Sequence, residues 1–382
     1  MKIITGILII ILAAVLHGQT LTVSVGNPSA RIRQSETITL DLQGLYQSYP
    51  EFRGKNVTVD ESGKQIVHQL IDENFDGVPD ILIFQSSFKP KEKKKFSLLV
   101  SAGLDKEYSA LVDGRFVLPR QDFAWENDRI AFRVYGSSLA GDVKNGTDVW
   151  NKRVRYPIIK KWYAGEEEVP KRSYHQDHGE GADYFSVGKS LGCGSAGLMW
   201  KGSLVQSGLF SFYRVITNGP VRVSFELYYP KMMFDSIEVM EIKRVTLDAG
   251  SNLNKIEEKF VSNIPLNDLT AAVGLVKRKN IVVSQNPKQN WMTVWGLTTA
   301  DSAVGYLGTA VVMNGEYPCA ASEDTLHWLL SASLGKTSAL TYYTGAGWTL
   351  SRDYKNETEW KSYIESFAAS IDEPLLITVS KK

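Results

Sequence analysis

Residues 236–250, SIEVMEIKRVTLDAG, decide the fold class, because their composition is that of one long and regular β-strand. Residues 221–229, VRVSFELYY, form a second segment of the same kind, and no helical pattern separates the two. Long strands at this spacing indicate large antiparallel sheets rather than alternating strands and helices. Residues 129–135 fit the same pattern, with one apolar face and one face that carries cations and a phenol. The sequence therefore predicts an all-β protein.

The N-terminal part of the chain contains shorter strand-like segments that lie close together. They are TLTVSV from Thr20, ETITLDL from Glu36, DILIF from Asp80 and KFSLLV from Lys95. Several short strands at this spacing predict a small immunoglobulin-like β-sandwich. We therefore divide the mature chain into that sandwich at residues 19–111 and a larger antiparallel β-region at residues 112–382.

A helix is predicted near the C-terminus, in residues 356–370, NETEWKSYIESFAAS. Trp360, Ile364 and Phe367 fall on one stripe of such a helix, which gives it an apolar face. Asn356 is suited to cap its first turn. We expect this helix to cover an edge or a face of a sheet.

The first residues predict export from the cell. Residues 1–18 combine Lys2, an apolar run and a small residue before Gln19, as in a secretory signal peptide, so we expect a periplasmic or secreted protein without a membrane segment after cleavage. The 43 Lys and Arg residues nearly balance the 42 Asp and Glu residues, which argues against nucleic acid as a partner. An exported chain permits one disulfide bond between Cys193 and Cys319, although two buried thiols fit the sequence equally well.

A loop in the N-terminal region has the spacing of a calcium site. Residues 72–80, DENFDGVPD, place Asp72, Asn74, Asp76 and Asp80 around a turning glycine. A complete EF-hand is excluded, because its bidentate glutamate would fall on an isoleucine. The alternative is a plain hairpin turn between the two strands that flank the loop.

Residues 173–187, SYHQDHGEGADYFSV, concentrate titratable groups, including two of the five histidines of the chain. His175, His178 and either Glu180 or Asp183 could bind a divalent metal. The glycines on either side of Glu180 argue against a helix and can turn the loop so that both imidazoles face one way. The same stretch also fits a polar surface loop whose histidines bond to their neighbours.

Three other stretches interleave aromatic rings with amide, carboxylate and cationic groups, a mixture that suits sugars. Pyranose rings stack on aromatic side chains, while their hydroxyls and carboxylates need directional polar partners. The alternative is that the tryptophans simply fill a large β-core. The residues predicted to bind a sugar are Trp125, Asn127, Trp150, Lys152, Arg153, Asp183, Tyr184 and Trp348.

Four motifs together resemble a known family. They are WENDRIAFRVYG at residues 125–136, GTDVWNKRVRYP at residues 146–157, SYHQDHGEGADYFSVGKSLGCG at residues 173–194 and NGPVRVSFELYY at residues 218–229. The chain resembles the exported bacterial proteins called domain of unknown function 4861, over nearly the whole mature sequence. The resemblance implies a galactose-mutarotase-like supersandwich in the larger region. It also implies a place in polysaccharide degradation, beside polysaccharide lyases and unsaturated-uronyl hydrolases. A similar protein is an oligosaccharide dehydratase that acts on uronic acids at the non-reducing end of ulvan fragments, so the resemblance implies that activity here.

Such a dehydration removes the proton on C5 of a uronate and expels the C4 hydroxyl, so it needs three groups. A cation or a metal must hold the carboxylate, for which Arg133, Lys152 and Arg153 are available. His175 or His178 suits the base, because histidine titrates near neutral pH.

The other histidine, Tyr174 or Tyr184 could supply the proton to the leaving hydroxyl, and a metal held by the histidines and Glu180 could replace the arginine. No cofactor is required by this chemistry, and the expected partner is an anionic oligosaccharide. We expect the two imidazoles to share a concave face with Asn127, Arg133, Trp150 and Lys152. The alternatives are a mutarotase or epimerase that uses a histidine with Glu126 or Glu180, and a carbohydrate-binding protein without catalysis.

Overall fold

The structure is a computed structural model that describes residues 20–100, 107–266 and 269–381. The predicted signal peptide at residues 1–18 lies outside the described residues. Within the described ranges, no helix has both the length and the apolar character needed to cross a membrane.

Strands dominate the described chain, and every pairing within its sheets is antiparallel, which confirms the predicted all-β class. The strands are β1 (Thr20–Gly26), β2 (Arg33–Asp41), β3 (Val57–Glu61), β4 (Lys64–Gln65), β5 (His68–Ile71), β6 (Ile81–Phe88), β7 (Lys93–Val100), β8 (Asp113–Val117), β9 (Asp122–Glu126), β10 (Ala131–Val134), β11 (Asp148–Lys152), β12 (Gly181–Ala182), β13 (Cys193–Trp200), β14 (Ser203–Val205), β15 (Phe212–Asn218), β16 (Arg222–Tyr228), β17 (Met232–Phe234), β18 (Ile237–Asp248), β19 (Leu253–Ser262), β20 (Thr270–Val276), β21 (Ile281–Asn286), β22 (Trp291–Leu297), β23 (Tyr306–Met313), β24 (Cys319–Glu323), β25 (His327–Ser333), β26 (Ala339–Trp348) and β27 (Leu376–Lys381).

Helices are few and short except for the last. The α-helices in the described ranges are α1 (Leu42–Ser48), α2 (Ile159–Glu166) and α3 (Glu357–Asp372). Single 3-10 turns lie at Pro50–Phe52, Ser137–Leu139, Pro287–Gln289, Ser302–Val304, Gly335–Thr337 and Thr349–Ser351.

The N-terminal sandwich packs the sheet β27-β1-β7-β3-β4 against the sheet β2-β6-β5. Its last strand comes from the other end of the chain, because β27 pairs with β1 from Leu21↔Lys381 to Gly26↔Leu376. The predicted boundary, which placed all residues from 112 to 382 in the larger region, is therefore wrong for the C-terminus. The physical reason is that β7 covers only one edge of β1, and β27 closes the other edge while its apolar side chains pack on the same core.

The larger region is a supersandwich of three sheets around one core. A long sheet has the order β15-β16-β18-β19-β26-β23-β22-β21, with β17 paired to β18. It packs against the sheet β14-β13-β20-β25-β24 and the sheet β12-β11-β10-β9-β8. Aromatic and aliphatic side chains from all three sheets meet in the same buried cluster. The segments 221–229 and 236–250 lie side by side next to the β15 edge of the long sheet, as β16 and β18.

Helix α3 covers the outer face of β22, β23 and β26, as the apolar stripe predicted. The side chain of Asn356 caps it by accepting a hydrogen bond from the Glu359 N–H at 3.0 Å. The indole N–H of Trp360 donates to Thr293 Oγ1 at 2.6 Å. A side chain at Gly308 would place its Cβ 2.5 Å from that nitrogen, so a glycine is needed where the ring meets the sheet.

A charged cluster lies inside the supersandwich, on the inner face of β18, β19 and β26. Lys243 Nζ is 3.3 Å from Glu241 Oε1 and 3.5 Å from Glu258 Oε1, and all three side chains are at most 2% exposed. Ser207 donates to Glu241 at 2.5 Å, and the Tyr342 hydroxyl donates to Glu258 at 3.2 Å. The carboxyl groups of Glu241 and Glu258 therefore share one ammonium group in the core.

Candidate functional site

The loop that carries the two predicted histidines folds back onto β11. Gly181 makes this possible, because its φ is +112° and a Cβ there would lie 1.9 Å from the Asn151 carbonyl oxygen. Strand β12 then pairs with β11, with Asn151 opposite Ala182. The Asp183 N–H donates to the Tyr174 carbonyl at 2.8 Å. The two ends of the loop are thus held together, with His175 and His178 between them.

His175 is exposed, but one edge of its ring is fixed. Its Nδ1 lies 3.2 Å from the Asp183 carbonyl oxygen and 3.5 Å from Asp183 Oδ2, while 59% of its side chain is exposed. A carbonyl oxygen only accepts hydrogen bonds, so Nδ1 must carry the proton when the ring is neutral. The lone pair is therefore on Nε2. This is the arrangement of a general base that a carbonyl and a carboxylate orient.

Directly beneath His175 lies a buried ion cluster. Arg133 Nη2 donates to Asp148 Oδ2 at 2.6 Å and to Asp183 Oδ2 at 2.8 Å. Burial, and next the negative charge of Asp148, raises the pKa of Asp183 well above its ordinary value. Asp183 Oδ1 is buried and has no hydrogen-bond partner among the described residues. The prediction that Arg133 holds a substrate carboxylate is wrong, because this guanidinium is buried and its charge is already compensated.

Tyr174 belongs to the same buried cluster. Its hydroxyl accepts a hydrogen bond from Arg133 Nη1 at 3.1 Å, and its ring stacks on Trp150 with centroids 4.7 Å apart. Burial raises the pKa of Tyr174. The structure therefore places Tyr174 under the His175 ring, with a centroid distance of 4.6 Å, and not on the accessible surface that an acid catalyst needs.

The side chains of Lys152 and Asn127 form buried hydrogen bonds, most of them to backbone carbonyl groups. Lys152 Nζ donates to Glu126 Oε2 and to the Asn127 carbonyl, both at 2.6 Å, in a fully buried pair. Glu126 Oε1 accepts the N–H groups of Ile158 and Ile159 at 2.7 Å, where α2 begins. The Asn127 side chain is likewise buried and bonds to backbone groups. The predicted substrate-binding roles of Lys152 and Asn127 are wrong, because neither side chain reaches solvent.

The three predicted sugar-stacking tryptophans have covered rings. Trp125, Trp150 and Trp348 are 0–1% exposed. Trp125 donates to Asn254 Oδ1 at 2.7 Å, and Trp348 donates to the Val304 carbonyl at 2.8 Å. A cleft lined by these rings is therefore not present, because a ring must expose a face before a pyranose can stack on it. These tryptophans fill the β-core, which was the alternative to a role in sugar stacking.

The accessible polar side chains near His175 come from its own loop and from the end of β11. Arg153 forms an ion pair with Asp177, and its guanidinium carbon lies 5.2 Å from the centre of the Trp348 ring while 34% of its side chain is exposed. The Tyr184 ring also lies near Trp348, with the two ring centroids 6.1 Å apart. Burial raises the pKa of Tyr184. We call the set His175, Asp177, His178, Arg153 and Tyr184 the His175 face.

His178 is also exposed on this face, and its Nε2 lies 3.2 Å from the Ser173 carbonyl oxygen. Glu180 is not available as a partner for the imidazoles, because it accepts hydrogen bonds from Tyr156 at 2.5 Å, Lys161 at 2.7 Å and Trp162 at 3.2 Å. Burial alone would raise the pKa of Glu180, but the hydrogen bonds from these three residues outweigh it and lower the pKa.

The metal centre predicted from the histidines and Glu180 is not assembled. In residues 20–100, 107–266 and 269–381, no three His, Cys, Asp or Glu side chains form a group that could hold a metal ion. Cys193 and Cys319 are both free thiols, so the disulfide bond considered above is not formed.

The Asp72–Asp80 loop is the hairpin between β5 and β6, as predicted, but its carboxylates face the loop backbone. Asp72 Oδ1 accepts from the Phe75 N–H at 2.7 Å, and its Oδ2 accepts from the Gly77 N–H at 2.8 Å. Asp80 Oδ2 accepts from the Glu73 N–H at 2.7 Å, and Asn74 and Asp76 bond to backbone or to Asp80. These contacts account for the residue types without a metal.

We therefore expect a chelator to leave the melting temperature of the protein unchanged. A bound calcium ion would stabilise the folded state by RT ln(1 + [Ca²⁺]/Kd), so its removal would lower the melting temperature. The measurement is a thermal scan with EGTA against a scan with added calcium, and Asp76→Ala serves as the matched variant. A decrease in wild type that is absent in Asp76→Ala would restore the calcium site that the spacing predicted.

Comparisons with known proteins agree with this architecture and identify the family. The chain is a two-part β-sandwich protein with a polar loop site above a buried ion cluster. It belongs to the family described as domain of unknown function 4861, which matches residues 25–377. A relative from Formosa agariphila, uncharacterized protein P7, is 32% identical over 332 residues, which are 82% of each chain.

Two solved structures from Enterococcus faecalis share the fold. One is a protein in glycosyl hydrolase family 38, with a TM-score of 0.52 and 11% identity over 94% of this chain and 47% of that one. The other is an alpha-mannosidase, with a TM-score of 0.53 and 13% identity over 94% of this chain and 46% of that one. The chain thus spans about half the length of both structures.

Proposed function

We propose that this protein is a carbohydrate-processing enzyme that eliminates water from a uronate at the non-reducing end of an oligosaccharide. The observation that carries the proposal is the exposed His175 ring, whose Nδ1 lies against the Asp183 carbonyl so that Nε2 carries the lone pair. The glycosyl hydrolase and the mannosidase that share the fold support a carbohydrate as substrate. The family resemblance supports a uronate.

The reaction assigns one step to each accessible group. His175 Nε2 takes the proton from C5 of the uronate, and the electron pair of that C–H bond forms the C4–C5 double bond. The C4–O bond breaks, and the leaving hydroxyl takes a proton and departs as water. Negative charge builds up on the carboxylate during this step, so a nearby cation stabilises the transition state.

Arg153 is the cation best placed to bind the carboxylate, because Arg133 and Lys152 are buried in their own ion pairs. Arg153 is partly exposed, and its guanidinium carbon lies 5.2 Å from the centre of the Trp348 ring, within the range of a cation–π contact. A guanidinium can bind both oxygens of a carboxylate at once. On substrate binding, Arg153 would exchange its ion pair with Asp177 for an ion pair with the substrate carboxylate.

Tyr184 or His178 can protonate the leaving hydroxyl. Tyr184 is a phenol and carries a proton at neutral pH, although burial raises its pKa and makes it a weaker acid. The alternatives find less support in the geometry. A mutarotase would need Glu126 or Glu180, and cations hold both carboxylates. A binding module would need exposed aromatic rings, and the tryptophans predicted for that role are covered.

Arg153→Met is expected to lower kcat/KM by roughly 10²–10³-fold, the usual cost of removing one donor that stabilises developing charge. The assay follows the absorbance of the conjugated double bond when saturated uronyl oligosaccharides with a free C4 hydroxyl are the substrate. Arg153→Lys should recover part of the loss, because it keeps the charge but not the bidentate geometry. Arg214→Met is the matched control, since Arg214 pairs with Glu226 on an exposed strand.

The proposed reaction is contradicted if the wild-type protein releases no unsaturated product from any saturated uronyl oligosaccharide. The proposed role of Arg153 in that reaction is contradicted if Arg153→Met retains wild-type activity. Loss of one water per oligosaccharide, measured by mass spectrometry, distinguishes this reaction from cleavage of a glycosidic bond.

A further inference from the structure

A cavity of about 280 Å³ lies between the end of β8 and helix α2. This volume is close to the lower end of the range for ligand pockets, which is about 300 Å³. The charged residues that line the cavity are Arg115, Arg120, Lys160 and Glu167. Three cations therefore share the cavity with one carboxylate, and this balance favours an anionic ligand.

The cations of this cavity are accessible to a ligand. The side chain of Arg115 is 39% exposed, that of Arg120 is 34% exposed, and Lys160 is exposed as well. Arg120 Nη2 donates to Glu166 Oε2 at 3.2 Å, which holds the guanidinium in place. No carboxylate within the described ranges forms an ion pair with Lys160. Arg120 thus supplies a positioned donor, and Lys160 supplies a charge without a counter-ion.

A row of aromatic rings leads from this cavity to the protein surface. Phe116 lines the cavity, and its ring stacks on Tyr213 with centroids 5.0 Å apart. The Tyr213 ring lies in turn 6.4 Å from the ring of Phe212, which is 59% exposed. The row crosses from β8 to β15, which are edge strands of two different sheets. An exposed aromatic ring next to a cationic cavity is the combination that an acidic sugar chain needs.

We propose that this region binds an acidic polysaccharide, with an oxyanion group of one sugar in the cavity and another sugar ring of the same chain on Phe212. The β8–β15 surface is our name for its five residues, Phe116, Arg120, Lys160, Phe212 and Tyr213. It shares no residue with the His175 face, so it would hold the polysaccharide at a second place on the protein. The choice of a saccharide rests on the proposed function, whereas the binding of an oxyanion in the cavity does not.

The first test measures how much the cations prefer an acidic ligand. The protein carries His175→Ala and Arg153→Met, so that the His175 face neither turns over substrate nor holds a carboxylate. Calorimetry compares a sulfated, uronate-containing polysaccharide with its desulfated and carboxyl-reduced form. We expect the acidic form to bind at least about tenfold tighter, a difference of 1.4 kcal/mol, and the difference to vanish when Arg120→Met and Lys160→Met are added.

Two further variants make this test specific. Lys160→Met alone should lose part of the preference, and its exposed side chain covers the case in which the Arg120 variant fails to fold. Arg31→Met with Lys231→Met removes two exposed cations elsewhere and should keep the full preference. A preference that survives in both cavity variants, or an acidic form that does not bind, would overturn the β8–β15 surface.

The second test concerns the aromatic part of the surface. Phe212→Ala should weaken the binding of the acidic and the neutral form by the same factor, because stacking on a ring does not depend on the charge of the sugar. Met233→Ala should change neither, although Met233 is also 59% exposed. Unchanged affinities in Phe212→Ala would contradict the role of this ring. A wild-type dimer that Phe212→Ala dissociates, with saccharide binding unchanged, would assign the surface to contact between two copies of the chain and overturn the proposal.

The third test identifies the source of the anion, with inorganic sulfate alone as the probe. Thermal scans compare sodium sulfate with sodium chloride at equal ionic strength, because an ion that binds the folded state stabilises it. A sulfate stabilisation that Lys160→Met abolishes, without a preference for the acidic polysaccharide, would assign the cavity to free anions and overturn the polysaccharide site. Preference for the acidic form in a protein that makes no unsaturated product would contradict the proposed reaction alone, and unsaturated product without that preference would contradict this surface alone.

Discussion

His175→Ala is expected to lower the rate of unsaturated product formation by about 10²–10⁴-fold, the usual contribution of a general base. The melting temperature should change little, because 59% of this side chain is exposed and substitutions at such positions usually cost less than roughly 0.5 kcal/mol. The absorbance assay and a thermal scan of the same preparation check both parts. A variant that keeps near wild-type turnover would show that this loop is a polar surface loop without a catalytic role.

His178→Ala is the matched comparison, because it removes the other exposed imidazole of the same loop. We expect a loss of at least about 10²-fold if His178 gives the proton to the leaving hydroxyl. A much smaller loss would assign that step to Tyr184, and Tyr184→Phe should then show the larger effect. Asp183 acts through His175, so Asp183→Asn tests positioning, and its loss should be smaller because the Asp183 carbonyl still holds Nδ1.

Lys243→Met is expected to destabilise the folded protein by roughly 3–5 kcal/mol, the cost of breaking a buried ion pair from one side. Glu241 and Glu258 would then face each other in the core without the ammonium group that lies 3.3 Å and 3.5 Å from them. Urea denaturation measures the change. Lys255→Met is the control, because Lys255 pairs with Glu257 at a partly exposed position, where ion pairs contribute little.

The pH dependence gives a second measurement of the same cluster. Burial raises the pKa of Glu258 from 4.5 to about 8. Between these two values the folded state keeps a proton that the unfolded chain releases. The stability from this group is therefore full below pH 4.5 and is lost as pH rises through 8. Glu258→Gln cannot release a proton, so its free energy of unfolding should lack that decline, and an identical pH profile in the two proteins would contradict the assignment.

The fold was largely predictable, because strands and capped helices leave local patterns. The stripe around Trp360 and the cap at Asn356 predicted α3, and the long alternating segments predicted the large sheet. The strand β27 was missed as part of the first sandwich, since nothing in its own sequence tells which distant edge it will join. Pairing partners that are hundreds of residues apart are a property of the assembled core.

The candidate site was less predictable, because burial decides which polar residues can act. Arg133 and Lys152 have the right chemistry for a substrate carboxylate, but Asp148 and Glu126 from neighbouring strands neutralise them. Asp148 was not predicted at all. The available signal was a carboxylate directly before two apolar strand residues, Val149 and Trp150, which suggests a buried cation as its partner. Arg153 was among the predicted residues and remains accessible.

The pairing of β1 with β27 affects how this protein can be synthesised. The first strand of the N-terminal sandwich is synthesised before the supersandwich, but its partner at Leu376–Lys381 is synthesised after it. The first sheet therefore stays incomplete until Leu376–Lys381 has been made, and the supersandwich lies between the two paired strands along the chain. Deleting Leu376–Lys381 should leave β1 as an unpaired edge strand and promote aggregation, although the deletion leaves the His175 face intact.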